Sequence, residues 1–105
     1  MNIMTIYKVE ISYTAKTDLS EIMDFLRTVL SREGAHRYVA TMRDEVLSLS
    51  VYANVYHPSH YADVRCFHPQ ACRMVSHNKR WAYIFHKEDD VVVIDRIRPT
   101  KLITK

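Results

Sequence analysis

Glycine occurs once in 105 residues and proline three times, too little of either for a collagenous, linker-like or disordered chain. A single glycine cannot build a phosphate cradle, and the chain holds neither G-x-S-x-G nor H-E-x-x-H. Nucleotide-dependent phosphoryl transfer, hydrolase-elbow chemistry and zincin chemistry therefore have no motif to rest on. No apolar run reaches the length of a membrane span. The opening, MNIMTIYKVEISY, lacks the basic region, apolar stretch and small-residue cleavage site of a secretory signal. A cytoplasmic protein with no membrane partner is expected. What is present is 48% hydrophobic and 26% charged residues, the mixture of a folded chain, at a length that supports one domain over residues 1–105 with a modest core.

Cysteine is also scarce, with two residues. His57, His60, Cys66, His68 and Cys72 fall close together, but the spacings are H-x-x-H, C-x-H and C-x5-C, without a C-x-x-C knuckle. Zinc wants four such ligands converging tetrahedrally, and a reducing compartment disfavours a Cys66–Cys72 disulfide. Side chains without special chemistry are the expectation, with no metal and no cofactor.

Charge is unevenly spread. Residues 1–71 carry 7 basic and 8 acidic groups, whereas residues 72–105 carry 8 basic and 4 acidic, a net +4. The C-terminal third is thus a surface for a polyanion or an acidic protein, or else an ordinary solvated face.

Thr5 to Tyr13 alternates, with Tyr7, Val9, Ile11 and Tyr13 on one face, and predicts a strand. Asp18 followed by Glu21 resembles a capping box, and Leu19, Ile22, Met23, Leu26 and Leu30 predict a helix over 19–31 that stops at Gly34. Val39, Met42, Val46 and Leu49 predict a second helix over 35–50, making an αα-hairpin. Residues 51–71, interrupted by Pro58 and Pro69, read as a long connection with one short strand at 64–67. Strands follow at 72–76, at 81–86 and from Val91, whose run of valines suits a central strand. The fold class is α+β: an N-terminal strand, an αα-hairpin, then three antiparallel strands forming one small sheet packed on the helices. Tyr7, Tyr13 and Tyr83 are expected in the core, while Tyr52, Tyr56 and Tyr61 are placed to stack on bases or to meet a partner.

Basic residues cluster at strand ends. Arg73 opens the second strand, Lys79 and Arg80 the third, and Arg96, Arg98 and Lys101 close the fourth. Between antiparallel neighbours, the start of one strand lies beside the end of the next, so Arg80 and Arg98 are expected close together. Such a cluster holds an anion or pairs with carboxylates.

The stretch SHNKRWAYIFHKEDDVVVIDRI, residues 76–97, the opening YKVEISYTA, residues 7–15, and the two helices between resemble the RelE/ParE toxin family of bacterial type II toxin–antitoxin systems. The resemblance implies two helices on an antiparallel sheet, a cognate antitoxin wrapped around the toxin as a hetero-oligomer, and one of two activities. In the RelE branch the toxin enters the ribosome and cleaves mRNA without a metal; in the ParE branch it inhibits DNA gyrase. Arg80 with Tyr83 resembles the R-x-x-Y pattern of the RNA-cleaving branch, and Arg98 resembles the arginine closing its last strand. Arg73 and Lys79 resemble the positive side chains along its RNA path. Pro99 and Thr100 stand where that branch carries proton-handling residues, which leaves His77 and Lys101 as the nearest acid or base. Arg96 suits either branch, on the RNA path or in the gyrase-inhibiting strand. The main expectation is a ribosome-dependent mRNA endoribonuclease with Arg80, Arg98, His77 and Lys101 catalytic and Arg73, Lys79 and Arg96 on the RNA. The alternative is a ParE-like gyrase inhibitor without catalysis of its own.

Overall fold

The computed structural model describes residues 6–102. A four-stranded sheet runs in the order β1-β4-β3-β2. β1 (Lys8–Ile11) lies parallel to β4 (Val91–Pro99), while β3 (Trp81–Glu88) is antiparallel both to β4 and to β2 (Cys72–Val75). Two long helices, α1 (Tyr13–Val29) and α2 (Arg32–Leu47), pack on one face. This is the α+β arrangement expected from the sequence, and β4 is central as its valine run implied.

Boundaries differ where a local signal served a distant partner. The strand expected over 5–13 is confined to Lys8–Ile11, and Thr5 lies outside the described residues. Ser12 ends it and caps α1 at once, its Oγ accepting the Ala15 N–H at 3.0 Å. Tyr13, expected in the core, is instead 85% exposed at the first helical position. Asp18 is not the N-cap but a buried residue inside α1. Gly34 does not stop α1; it sits in the first turn of α2, donating its N–H to the capping Ser31 Oγ at 3.0 Å. The second helix spans 32–47 rather than 35–50 and is followed by the short α3 (Leu49–Tyr52). In place of a strand at 64–67 stands a helical turn, α4 (Ala62–Arg65), because the carbonyls of Tyr61 and Ala62 are met locally by the N–H groups of Arg65 and Cys66.

The core fills the space between helices and sheet. Leu19, Ile22 and Leu26 of α1 and Val39, Met42 and Val46 of α2 meet Tyr83, Phe85, Cys72, Met74 and Ile97. Side chains alternate along a strand, so Ala82, Ile84, His86 and Glu88 face the other way. There Val64, Ala71 and Phe67 cover Ile84 as a second, smaller cluster. The β3–β4 hairpin turns through Asp89 at φ 53°, a conformation aspartate tolerates better than most residues. Ile84 pairs with Arg96 but Phe85 pairs with Ile94, so Asp95 is the extra residue of a β-bulge.

Candidate functional site

β1 covers β4 only along Val91–Ile94, and beyond that point the outer edge of β4 is open to α1. Asp18 fills it. Its carboxylate accepts the Ile97 N–H at 2.9 Å and pairs with Arg96, whose Nε and Nη2 lie 2.8 and 3.0 Å from Oδ2 and Oδ1. The bonds to Asp18 raise the Arg96 pKa against the opposing effect of burial, with the charges of Asp18 and Glu21 adding. The Arg96 guanidinium also lies 5.7 Å from the centroid of the Phe67 ring, within cation–π range. Arg96, expected on an RNA path, is thereby held within the fold.

The remaining basic residues are placed differently. Arg73 stands opposite Ile84, and Arg98 opposite Ala82, so both start from the sheet face turned away from the helices. Arg80 and Lys79 precede β3 in a turn fixed by side chains. Asn78 Oδ1 accepts from the Arg80 N–H at 3.0 Å and from Ser76 Oγ at 2.6 Å, and Ser76 Oγ accepts the Trp81 N–H at 3.0 Å. Lys79 takes φ 69° there. Thr100 ties this turn to the end of β4: its Oγ1 donates to Lys79 O at 2.7 Å and its N–H to Arg80 O at 3.0 Å. Arg80 and Arg98 therefore occupy diagonal positions at one end of the sheet, and Lys101 follows β4 in the closing 3-10 turn, Thr100–Leu102. Among the described residues, Arg96 alone of the arginines and lysines pairs with a carboxylate; Arg73, Lys79, Arg80, Arg98 and Lys101 do not. Arg98 also lines a groove of about 260 Å³ whose walls include Glu21, Phe25 and Trp81.

His77 and Tyr83 are held by one carboxylate. Glu45 on α2 accepts the His77 N–H at 2.7 Å and the Tyr83 hydroxyl at 2.5 Å. Tyr83 is fully buried, and burial, then the hydrogen bond and charge of Glu45, push its phenol well above the usual range, with Tyr38 adding. It points to the helix side, away from the face that carries Arg98. Nearby, Tyr38 Oη accepts from Asn78 Nδ2 at 2.8 Å and from Trp81 Nε1 at 3.0 Å.

On the far face, His68 stacks on buried His86 with ring centroids 3.8 Å apart and planes 1° from parallel. His86 Nδ1 meets Asp95 Oδ2 at 2.7 Å and its Nε2 lies 3.5 Å from Glu88 Oε1. Donor atoms of His68, His86 and Glu88 all fall within 4.8 Å of one another. An imidazole lone pair lies in the ring plane, so parallel rings do not aim at a common ion, and the stack is a packing contact. Of the other histidines and cysteines noticed in the sequence, Cys66 is exposed and Cys72 buried, and both are free thiols.

A second surface was missed in the sequence. The two long helices enclose a groove lined by Lys16, Leu19, Met23, Val39 and Arg43, about 390 Å³, continuing past Met23 and Arg43 into one of about 510 Å³ that reaches Leu47. Its floor is apolar and its flanks carry Lys16 and Arg43, with Asp44 further along. The helical spacing of Met23 and Val39 was the available signal.

The family model described as the ParE toxin of type II toxin–antitoxin systems, ParDE, matches residues 9–102. The fold is also similar to a solved structure titled as the chromosomal ParDE toxin–antitoxin system from P. aeruginosa, with a TM-score of 0.74, 18% identity, and coverage of 90% of this chain and 97% of that one. No curated protein sequence matches. The family match overturns the expectation of a ribosome-dependent mRNA endoribonuclease, an mRNA interferase that inhibits translation, in favour of the ParE-like alternative. The tyrosine of R-x-x-Y is a core residue bonded to Glu45, as its alternation implied, and Arg96 is held by Asp18.

Proposed function

From the premise that this chain belongs to the ParE toxin family of type II toxin–antitoxin systems, we propose that it is a toxin that inhibits DNA gyrase by contact and is neutralised by a cognate antitoxin. The observation that carries this reading is the family match across residues 9–102. Gyrase is cytoplasmic, so the toxin acts there; no helix among the described residues is long and apolar enough to cross a membrane.

The antitoxin occupies the helical groove. An apolar floor with Met23 and Val39 between flanking Lys16 and Arg43 suits an amphipathic segment with acidic residues along its rims. Toxin and antitoxin then form a hetero-oligomer. Charge at the rim sets the encounter rate and register more than the affinity, which comes from the buried apolar anchors.

The basic end of the sheet, with Lys79, Arg80, Arg98, His77 and Lys101, together with Arg73 further along the same outer face, is a contact surface for the target, without chemistry at any of these residues. Supercoiling by purified gyrase tests the reading. Inhibition by the toxin, relieved by stoichiometric antitoxin, is expected; undiminished supercoiling alongside growth arrest would point to another target.

A further inference from the structure

We infer that the basic end of the sheet binds the phosphate backbone of duplex DNA, so that the toxin meets the nucleic acid that gyrase holds as well as the enzyme. The inference builds on the gyrase reading but stands on its own geometry.

Three observations carry it. First, the sheet is electrically polarised along its strands. The β2–β3 turn and the end of β4 hold Lys79, Arg80, Arg98 and Lys101, while the opposite end holds Glu88, Asp89 and Asp90, partly offset by Lys87 and Lys8. Second, these cations are not consumed by the fold. Arg96 has its carboxylate in Asp18, but among the described residues Lys79, Arg80, Arg98 and Lys101 are in no ion pair. Lys79, Arg80 and Lys101 are exposed. Third, the backbone presenting them is fixed. Thr100 bonds to the carbonyls of both Lys79 and Arg80, and Asn78 closes the turn from within. Cations gathered on a rigid support repel one another unless a polyanion screens them.

The chemistry of the set selects the ligand. Single strands are held by rings that stack on unpaired bases. Trp81, the aromatic residue that follows Arg80, is half-buried and its indole N–H is held by Tyr38, so it is not presented for stacking. Side chains on a turn and a strand end, rather than an inserted helix or ribbon, reach phosphates and leave base edges unread. Phe25 is exposed in the groove beside Arg98, but it stands on α1 and not in the turn that carries Lys79 and Arg80. That turn offers charge without a stacking ring and favours sequence-independent contact with a duplex. Glu21, which lines the groove shared with Arg98, weakens Arg98 as a contact and leaves Lys79, Arg80 and Lys101 as the principal ones. With so few contacts, binding to free DNA is weak at physiological salt; beside a bound gyrase the local concentration of DNA is high, and the same contacts count for more.

Fluorescence anisotropy of a labelled duplex, without gyrase, tests this. The wild-type toxin is expected to bind at low salt with an affinity that falls linearly on a logarithmic salt scale. Lys79→Asn/Arg80→Gln/Lys101→Gln should make that slope shallower by about 0.9 for each phosphate contact removed. Asparagine accepts the positive φ at position 79, and circular dichroism with a cooperative unfolding curve shows whether the variant is folded. No wild-type binding at low salt, or an unchanged slope in the folded variant, overturns the inference. So does a variant that keeps its DNA affinity and loses the antitoxin, since the surface then serves an acidic protein. Gyrase inhibition is assayed in parallel: duplex binding with the expected slope but no inhibition refutes the gyrase reading alone, and inhibition without duplex binding refutes this inference alone.

Discussion

Asp18 and Arg96 join the second turn of the first long helix to the stretch of the central strand that β1 leaves uncovered, 78 residues away along the chain, through Nε–Oδ2 and Nη2–Oδ1 contacts of 2.8 and 3.0 Å. The same carboxylate takes the Ile97 N–H, a backbone donor that the absence of β1 would otherwise leave unmet. Two residues further on, Pro99 has no N–H to offer. The open half of β4 is thus closed to strand addition by one buried acid and one imino acid.

Asp18→Ala should therefore be costly. It strips Arg96 of its partner and leaves the buried Ile97 N–H unsatisfied, a combined loss of about 3–5 kcal/mol by analogy with broken buried pairs. Arg96→Gln, whose side chain is about a quarter exposed in the native protein, should cost less, because the Asp18–Ile97 bond persists. Urea unfolding of the two variants checks the order.

Alkaline stability should depend on Tyr83. Its phenol titrates above the ordinary value of 10.0 in the fold, chiefly because it is buried. The unfolded state then releases its proton first as pH rises. Stability from this group is fully present below pH 10 and is lost above it, at up to about 1.4 kcal/mol per pH unit. In Tyr83→Phe that share of the alkaline slope should vanish. The variant should also lose about 1–2 kcal/mol at neutral pH, since Glu45 keeps only the His77 N–H as a partner from this part of the sheet. Unfolding curves measured from neutral pH upward, wild type against variant, decide both points; equal alkaline slopes would remove Tyr83 from the account.

The two thiols should separate cleanly. Cys66 is exposed, whereas Cys72 is fully buried, and burial raises its pKa against the smaller opposing pull of Lys87. Thiolate is the reactive form. A disulfide reagent should label one cysteine in the native protein and both in denaturant. Rapid native labelling of Cys72 would mean that β2 opens readily.

Much of this arrangement was legible in the sequence, and each failure has its own physical cause. Alternation through Trp81–Phe85 placed Tyr83 in the core, and the antiparallel order of the last strands placed Arg80 and Arg98 at one end. Asp18 misled because a carboxylate three residues before Glu21 has the local form of a capping box. Its actual partners lie on β4, and nothing in the neighbouring residues of either segment signals that meeting. Val64–Phe67 misled for the opposite reason: its apolar content implied a strand, but a covering turn over Ile84 buries Val64 equally well. The pairing of Arg96 was hidden too, since an arginine on a strand looks the same whether its carboxylate is on a distant helix or absent.

The helical groove gives the sharpest functional contrast between neutralisation and toxicity. Lys16 and Arg43 are exposed and flank its apolar floor, while Lys79 and Arg80 stand in the β2–β3 turn. Reversing charge with Lys16→Glu/Arg43→Glu should leave the core and the basic end intact, because neither residue is in an ion pair among the described residues. Repulsion from an acidic antitoxin segment should slow association first, by about 10-fold or more at low salt and less at high salt. In cells, the variant should arrest growth even with the antitoxin co-expressed, whereas the wild type is silenced. Binding kinetics at two salt concentrations, set beside growth curves, test the placement. If association is unchanged and rescue is complete, the antitoxin docks elsewhere, and the groove's apolar floor is part of the packing of the helical hairpin alone.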